Sequence, residues 1–182
     1  MAMVGVVVAL VMACGGDVAS PEPRVSASPS WGVAFQNKAL GVSFRHAPSW
    51  HVSRLVTPAQ APTGIGDVEM RASHGVVFDV TRESKGEASF DAQQFVVVTR
   101  AVMGQFGMRI VRQSQMRIDG RSFTRLDLAG KGGHAVRLAG IPAGIQFDCP
   151  AKAWPAQKPL LESTLASLRF FPLAQASATS GN

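Results

Sequence analysis

The chain has no tyrosine, only two cysteines, and charged side chains at just 16% of its 182 positions. Its aromatics are therefore ten phenylalanines and three tryptophans. The two cysteines, Cys14 and Cys149, sit in unlike surroundings, and an even number alone does not make them a disulfide framework. The apolar run from Val4 to Met12 is too short to cross a bilayer as a mature helix. There is no internal repeat, no glycine-rich phosphate loop, no serine elbow, no zinc-peptidase helix motif and no paired-carboxylate arrangement. Gly130-Lys131-Gly132-Gly133 lacks the strand-to-helix setting of a phosphate cradle and reads as a hairpin turn. Without a catalytic constellation the chain reads as a non-enzyme, with no cofactor implied.

What is present is apolar and basic. A hydrophobic share of 46% over this length suits one domain with a real core rather than two. Arginine outnumbers lysine thirteen to five and the formal net charge is +6. Such a balance favours anionic surfaces without naming a partner, and a solvated basic surface is the plainer account of it.

The run Val4–Met12 is long enough for the core of an export signal. It ends in Val11-Met12-Ala13-Cys14-Gly15-Gly16, which resembles the bacterial lipobox. That resemblance implies that Cys14 is lipidated and becomes the mature N-terminus, so residues 1–14 are read as a lipoprotein signal peptide. No Lys or Arg precedes the run, although such signals carry a positive n-region; a start further upstream, a transmembrane anchor or a buried N-terminal strand stay open as alternatives. Residues 15–30 are rich in Pro, Ser and Ala with nothing to bury and read as a tether. Residues 31–172 are read as the domain, and 173–182 as an unstructured tail.

Within the domain, periodicity points to mixed α and β structure. Val42, Phe44 and His46 alternate with polar residues, and Ala47-Pro48-Ser49 breaks the pattern before Trp50-His51-Val52 resumes it, which predicts a first hairpin. Residues 57–66 read as a loop, and 68–72 and 76–81 as two more strands. Asp91, with Gln94 three residues on, suits a helix N-cap; Phe95, Val98, Val102 and Phe106 share one face of that helix, and Gly107 suits its end. Asp119-Gly120 predicts a type I′ turn joining strands 109–118 and 121–128, which sets Arg112 opposite Asp127 as a cross-strand ion pair. Residues 135–138 and 145–149 supply further strands. Pro159 suits the first turn of a helix carrying Leu160, Leu161, Thr164, Leu165 and Leu168, and Leu168–Phe171 closes the domain as an extended segment.

The segment Phe35–Phe171 resembles the PsbP-like domain family, which in bacteria includes small DcrB-like lipoproteins. The resemblance rests on Phe35-Gln36-Asn37 with Leu40 to Arg45, on Pro48-Ser49-Trp50, and on Ser89-Phe90-Asp91. Ile118 to Arg121 and Leu165 to Phe170 complete it. It implies an α+β fold, an α/β/α sandwich on a twisted antiparallel β-sheet, and supports the helix at 91–106.

Few residues offer chemistry. His46 and His51, five apart across the predicted turn, are weak candidates for a metal pair, with no further ligands at suitable spacing. Cys149 lacks an identifiable activating partner and reads as a core filler. Arg109, Arg112, Arg117, Arg121 and Arg125 concentrate charge in the central hairpin and form a candidate ligand or partner surface, although alternation prevents all five from sharing a face. The expectation is a non-enzymatic, lipid-anchored protein of the bacterial cell envelope, held to the membrane by its N-terminal lipid. Its domain would bind or scaffold another envelope component, an envelope protein or an anionic ligand, and not nucleic acid. The alternative is a periplasmic protein binding a small ligand or metal ion.

Overall fold

A computed structural model describes residues 31–83 and 90–173. The expected signal peptide, lipidated Cys14, tether, tail from 174 and Ser89 all lie outside the described residues.

The chain opens with β1 (Val33–Asn37) and β2 (Val42–His46), followed by β3 (His51–Val56), β4 (Ile65–Ala72) and β5 (Val76–Glu83). Helix α1 (Ala92–Gln105) leads into β6 (Met108–Ile118), β7 (Arg121–Gly130), β8 (Gly133–Gly140) and β9 (Ala143–Pro150). Helix α2 (Trp154–Ser167) and the short β10 (Arg169–Phe170) finish the domain. Seven strands form one antiparallel sheet in the order β3-β4-β5-β9-β8-β7-β6, and β1-β2-β10 form a second, small one. The fold is α+β.

Cross-strand partners share a sheet face, so register assigns the two layers that flank the large sheet. Val96 and Met103 of α1 pack on Leu126, Leu128 and Ala135 on one face. On the other, Phe78, Val136, Phe147 and Ile145 join Leu161 and Leu165 of α2 and Val42 and Phe44 of the small sheet in the main core. Aromatic rings run through that core. Phe44 meets Phe78 edge-on at 5.5 Å, and Trp50 lies 5.5 Å from Phe78 and 5.8 Å from Phe147.

Two local predictions hold in detail. Asp119 (φ 51°) and Gly120 (φ 74°) make the expected turn, and the Asp119 carboxylate also accepts the Phe170 amide at 2.9 Å, tying the hairpin to β10. Asp91 caps α1 by accepting from the Gln93 and Gln94 amides at 2.8 and 3.1 Å.

Three others need correction. Residues 41–52 are not a hairpin: β2 pairs with β1 and β10, whereas β3 pairs with β4. The turn closed by the Trp50 amide on the Ala47 carbonyl (2.9 Å) carries the chain from the small sheet to the large one. The buried stripe of α1 is Val96, Thr99 and Met103, leaving Val98, Val102 and Phe106 exposed. Helix α2 starts at Trp154 with Pro155 in its first turn, so Pro159 lies inside it.

Candidate functional site

Helix α2 lies mainly over β2 and β9, so the β6–β7 end of the sheet is left uncovered on that face. A cleft of about 590 Å³ opens there. One wall is a stripe of α2, Trp154, Lys158 and Glu162, which recur every four residues. The opposite wall comes from Arg112, Ser114 and Met116, alternate residues of β6. Arg125 and Asp127 of β7 and His134 of β8 supply the floor.

The floor is tied to the α2 wall. Arg125 donates Nη1 and Nη2 to the two Glu162 oxygens at 2.9 and 2.7 Å, and Nε to Asp127 Oδ1 at 2.9 Å. Burial lowers the pKa of its guanidinium, but the bonds to Glu162 and Asp127 outweigh that and leave it raised. Arg112 does face Asp127 in register. The predicted ion pair between them does not form, because Arg125 takes the Asp127 carboxylate. Among the described residues neither Arg112 nor Lys158 has an ion-pair partner, and both are exposed. The half-buried Trp154 indole stacks on the His134 imidazole, with centroids 4.7 Å apart and planes 13° from parallel. The cleft therefore offers two unspent cations from facing walls beside a fixed aromatic pair.

The structure divides the five predicted arginines. By register Arg109, Arg112, Arg121 and Arg125 share the α2 face, whereas Arg117, opposite Ser122, points to the α1 face. Arg112 and Arg125 line the cleft. Arg121 instead lies 5.9 Å from the Phe170 ring, and Arg109 is an exposed residue near the start of β6. The two histidines are separated: His46 is buried in the small sheet with Nδ1 2.9 Å from the Ala47 carbonyl, and His51 is exposed on β3. No cluster of three metal-ligating side chains occurs among the described residues. Cys149 is 4% exposed, and burial raises its thiol pKa, which keeps it protonated and unreactive.

Trp154, Lys158, Glu162 and His134 were not legible as site residues. Their spacing on α2 was available, but placing the helix start at Pro159 put Trp154 and Lys158 outside it.

The other sheet face carries a second charged cluster. Arg54 Nε donates to Asp67 Oδ2 at 2.6 Å, and its Nη2 lies 3.7 Å from Glu69 and 3.6 Å from Asp79. Asp79 is 7% exposed, and among the described residues no hydrogen-bond partner reaches either of its oxygens. Burial first, then the adjacent Asp67 and Glu69 charges, push its pKa up to about 7. On the same face an apolar groove of about 450 Å³ runs between α1 (Phe95, Val98, Val102, Phe106) and the sheet.

The solution structure of cyanobacterial PsbP (CyanoP) from Synechocystis sp. PCC 6803 superposes with a TM-score of 0.55 at 12% identity, covering 86% of this chain and 100% of that one. The fold is PsbP-like. No family model matches the sequence, and no curated protein matches it. At this identity the likeness extends to architecture only, so the chemistry of this PsbP-like domain has to be argued from its own cleft.

Proposed function

We propose that the chain is a non-enzymatic lipoprotein of the bacterial cell envelope, of the DcrB-like kind, anchored through Cys14, whose PsbP-like domain binds or scaffolds another envelope component. The observation that carries the binding role is the cleft between α2 and β6, where Arg112 and Lys158 have no ion-pair partner among the described residues while Arg125 is engaged by Asp127 and Glu162. The lipobox-like sequence Val11–Gly16 and the Pro/Ser-rich stretch after it support the anchor. A protonated, buried Cys149 supports a non-catalytic reading.

Two measurements test the proposal. Cys14→Ala is expected to release the chain from membranes, and membrane retention of that variant through a high-salt wash would sink the anchor. For the binding role, crosslinking from a photoreactive residue at position 114, inside the cleft, is expected to trap an envelope component that the Arg112→Glu/Lys158→Glu variant no longer captures.

A further inference from the structure

We propose that the cleft between α2 and β6 is a site for an anionic group, a phosphate or carboxylate, carried on a flat ring that lies against Trp154. This rests on the binding role proposed above but not on the lipid anchor.

Three features lead to the ligand class. The first is charge. Asp127 and Glu162 share the single Arg125 guanidinium, so these three side chains carry one net negative charge. Arg112 and Lys158, with no ion-pair partner among the described residues, bring the five to one net positive charge. The second is placement. These cations come from opposite walls, one from a strand and one from a helix. A single anion between them completes both, with arginine offering a planar fork and lysine a point charge.

The third feature is the aromatic wall. One face of the Trp154 indole stacks on the His134 ring, and the Phe147 ring lies 6.2 Å away, tilted by 48°. The indole is thereby held in place before any ligand arrives, so little freedom is lost when a ring stacks on it. An anion without a ring would leave this wall unused, and a ring without an anion would leave both cations solvated. Met116 adds a pliable apolar contact across the cleft.

The test uses the full chain in neutral phosphatidylcholine nanodiscs, with phenyl phosphate as probe and indole N–H resonances as readout. The three tryptophans report separately. Trp50 is buried with its Nε1 bonded to Gln157 Oε1 at 3.1 Å, so its resonance monitors the fold, while Trp154 reports the cleft. Saturable movement of Trp154 with a stationary Trp50 is expected. Inorganic phosphate and benzyl alcohol should each bind more weakly than phenyl phosphate. Arg112→Ala and Lys158→Ala should each weaken binding about tenfold, the loss expected for one charged hydrogen bond.

A phosphatidylglycerol headgroup carries the phosphate without a flat ring. Movement of Trp154 only with phenyl phosphate supports the proposal, and equal movement on transfer to phosphatidylglycerol nanodiscs without probe overturns the ring requirement. A stationary Trp154 under every condition, or phenyl phosphate affinity unchanged in the Arg112→Ala/Lys158→Ala double variant, overturns the ligand assignment. If crosslinking from position 114 still traps its component in that case, the proposed function stands and only the ligand class falls.

Discussion

Arg125 on β7 and Glu162 on α2 are joined by two parallel hydrogen bonds, Nη1 to Oε2 at 2.9 Å and Nη2 to Oε1 at 2.7 Å. The pair pins the helix to the sheet where their direct packing ends, and so sets the width of the cleft. Bidentate geometry favours it over an ordinary surface ion pair, although the Glu162 side chain is 41% exposed, which screens its charge. Glu162→Gln should lower stability by about 1 kcal/mol, and Arg125→Ala by about 2–3 kcal/mol because Asp127 then loses its partner as well. In a double-mutant cycle by urea denaturation, a coupling near zero would show that the two residues hold the helix independently.

The acidic cluster on the other face makes stability depend on pH. Asp79 titrates near 3.8 when solvated and at about 7 in the folded domain. Between those values the folded state binds a proton that the unfolded state has released. Stability from this group is therefore full below pH 4, falls as pH climbs through 7, and is flat above. The slope is at most about 1.4 kcal/mol per pH unit. Asp79→Asn should remove most of that slope and raise the urea midpoint at pH 8 more than at pH 5. A wild-type domain more stable at pH 8 than at pH 5 would mean that attraction to Arg54 outweighs burial.

Local rules carried the prediction furthest where chemistry was local. Asp119-Gly120 specifies its turn by backbone conformation alone, and Asp91 specifies a cap by reaching its own following amides. Pairing between distant segments was less legible. The alternation at 42–46 and its return at 50–52 looks the same whether two strands pair with each other or enter different sheets. Helix α1 failed for another reason: apolar residues occupy several of its sides, so periodicity could not say whether Val96 and Met103 or Val98 and Val102 face inward. The α2 face of the central hairpin was readable in part: Arg112, Arg121 and Arg125 fall in phase around the Asp-Gly turn, whereas Arg109 is out of phase by alternation and joins them only through the register shift between Ile110 and Arg112. Which cation stays free was not, because Asp127 has Arg112 across the strand and Arg125 two residues before it on one face, and Glu162, which also engages Arg125, is remote in sequence.

Trp50 is the residue where the small sheet, the large sheet and α2 meet. Its ring contacts Phe78 and Phe147, and its Nε1 donates to Gln157 Oε1 at 3.1 Å. Trp50→Ala should cost about 3–5 kcal/mol from lost burial and the cavity left behind. Trp50→Phe keeps a ring but forfeits the bond to Gln157, and about 1–2 kcal/mol should separate it from wild type in chemical denaturation. Equal losses in the two variants would place the whole contribution in the indole bond.

Arg82 reaches from β5 under the small sheet, where Nη1 donates to the Gly41 carbonyl at 2.6 Å and Cζ lies 5.5 Å from the Phe170 ring. Burial, and secondarily the Arg121 charge, lower its pKa, and Nε finds no hydrogen-bond partner among the described residues. Gly41 O also accepts the Phe171 amide at 3.0 Å, so it keeps a partner if Arg82 is removed. The stem of Arg82 should therefore matter more than its charge. Arg82→Ala is expected to destabilise by about 3 kcal/mol through lost packing and charged hydrogen bonds, whereas Arg82→Met, which fills similar space without a charge to desolvate, should fall within about 1 kcal/mol of wild type. If thermal denaturation finds the methionine variant as unstable as the alanine one, the bond to Gly41 rather than packing holds the small sheet in place. Gly41→Ala serves as a separate probe of that junction. An added Cβ would meet the Phe171 carbonyl at 2.6 Å on a backbone with φ of 65°, so this variant should lose about 1–2 kcal/mol or more even with Arg82 intact.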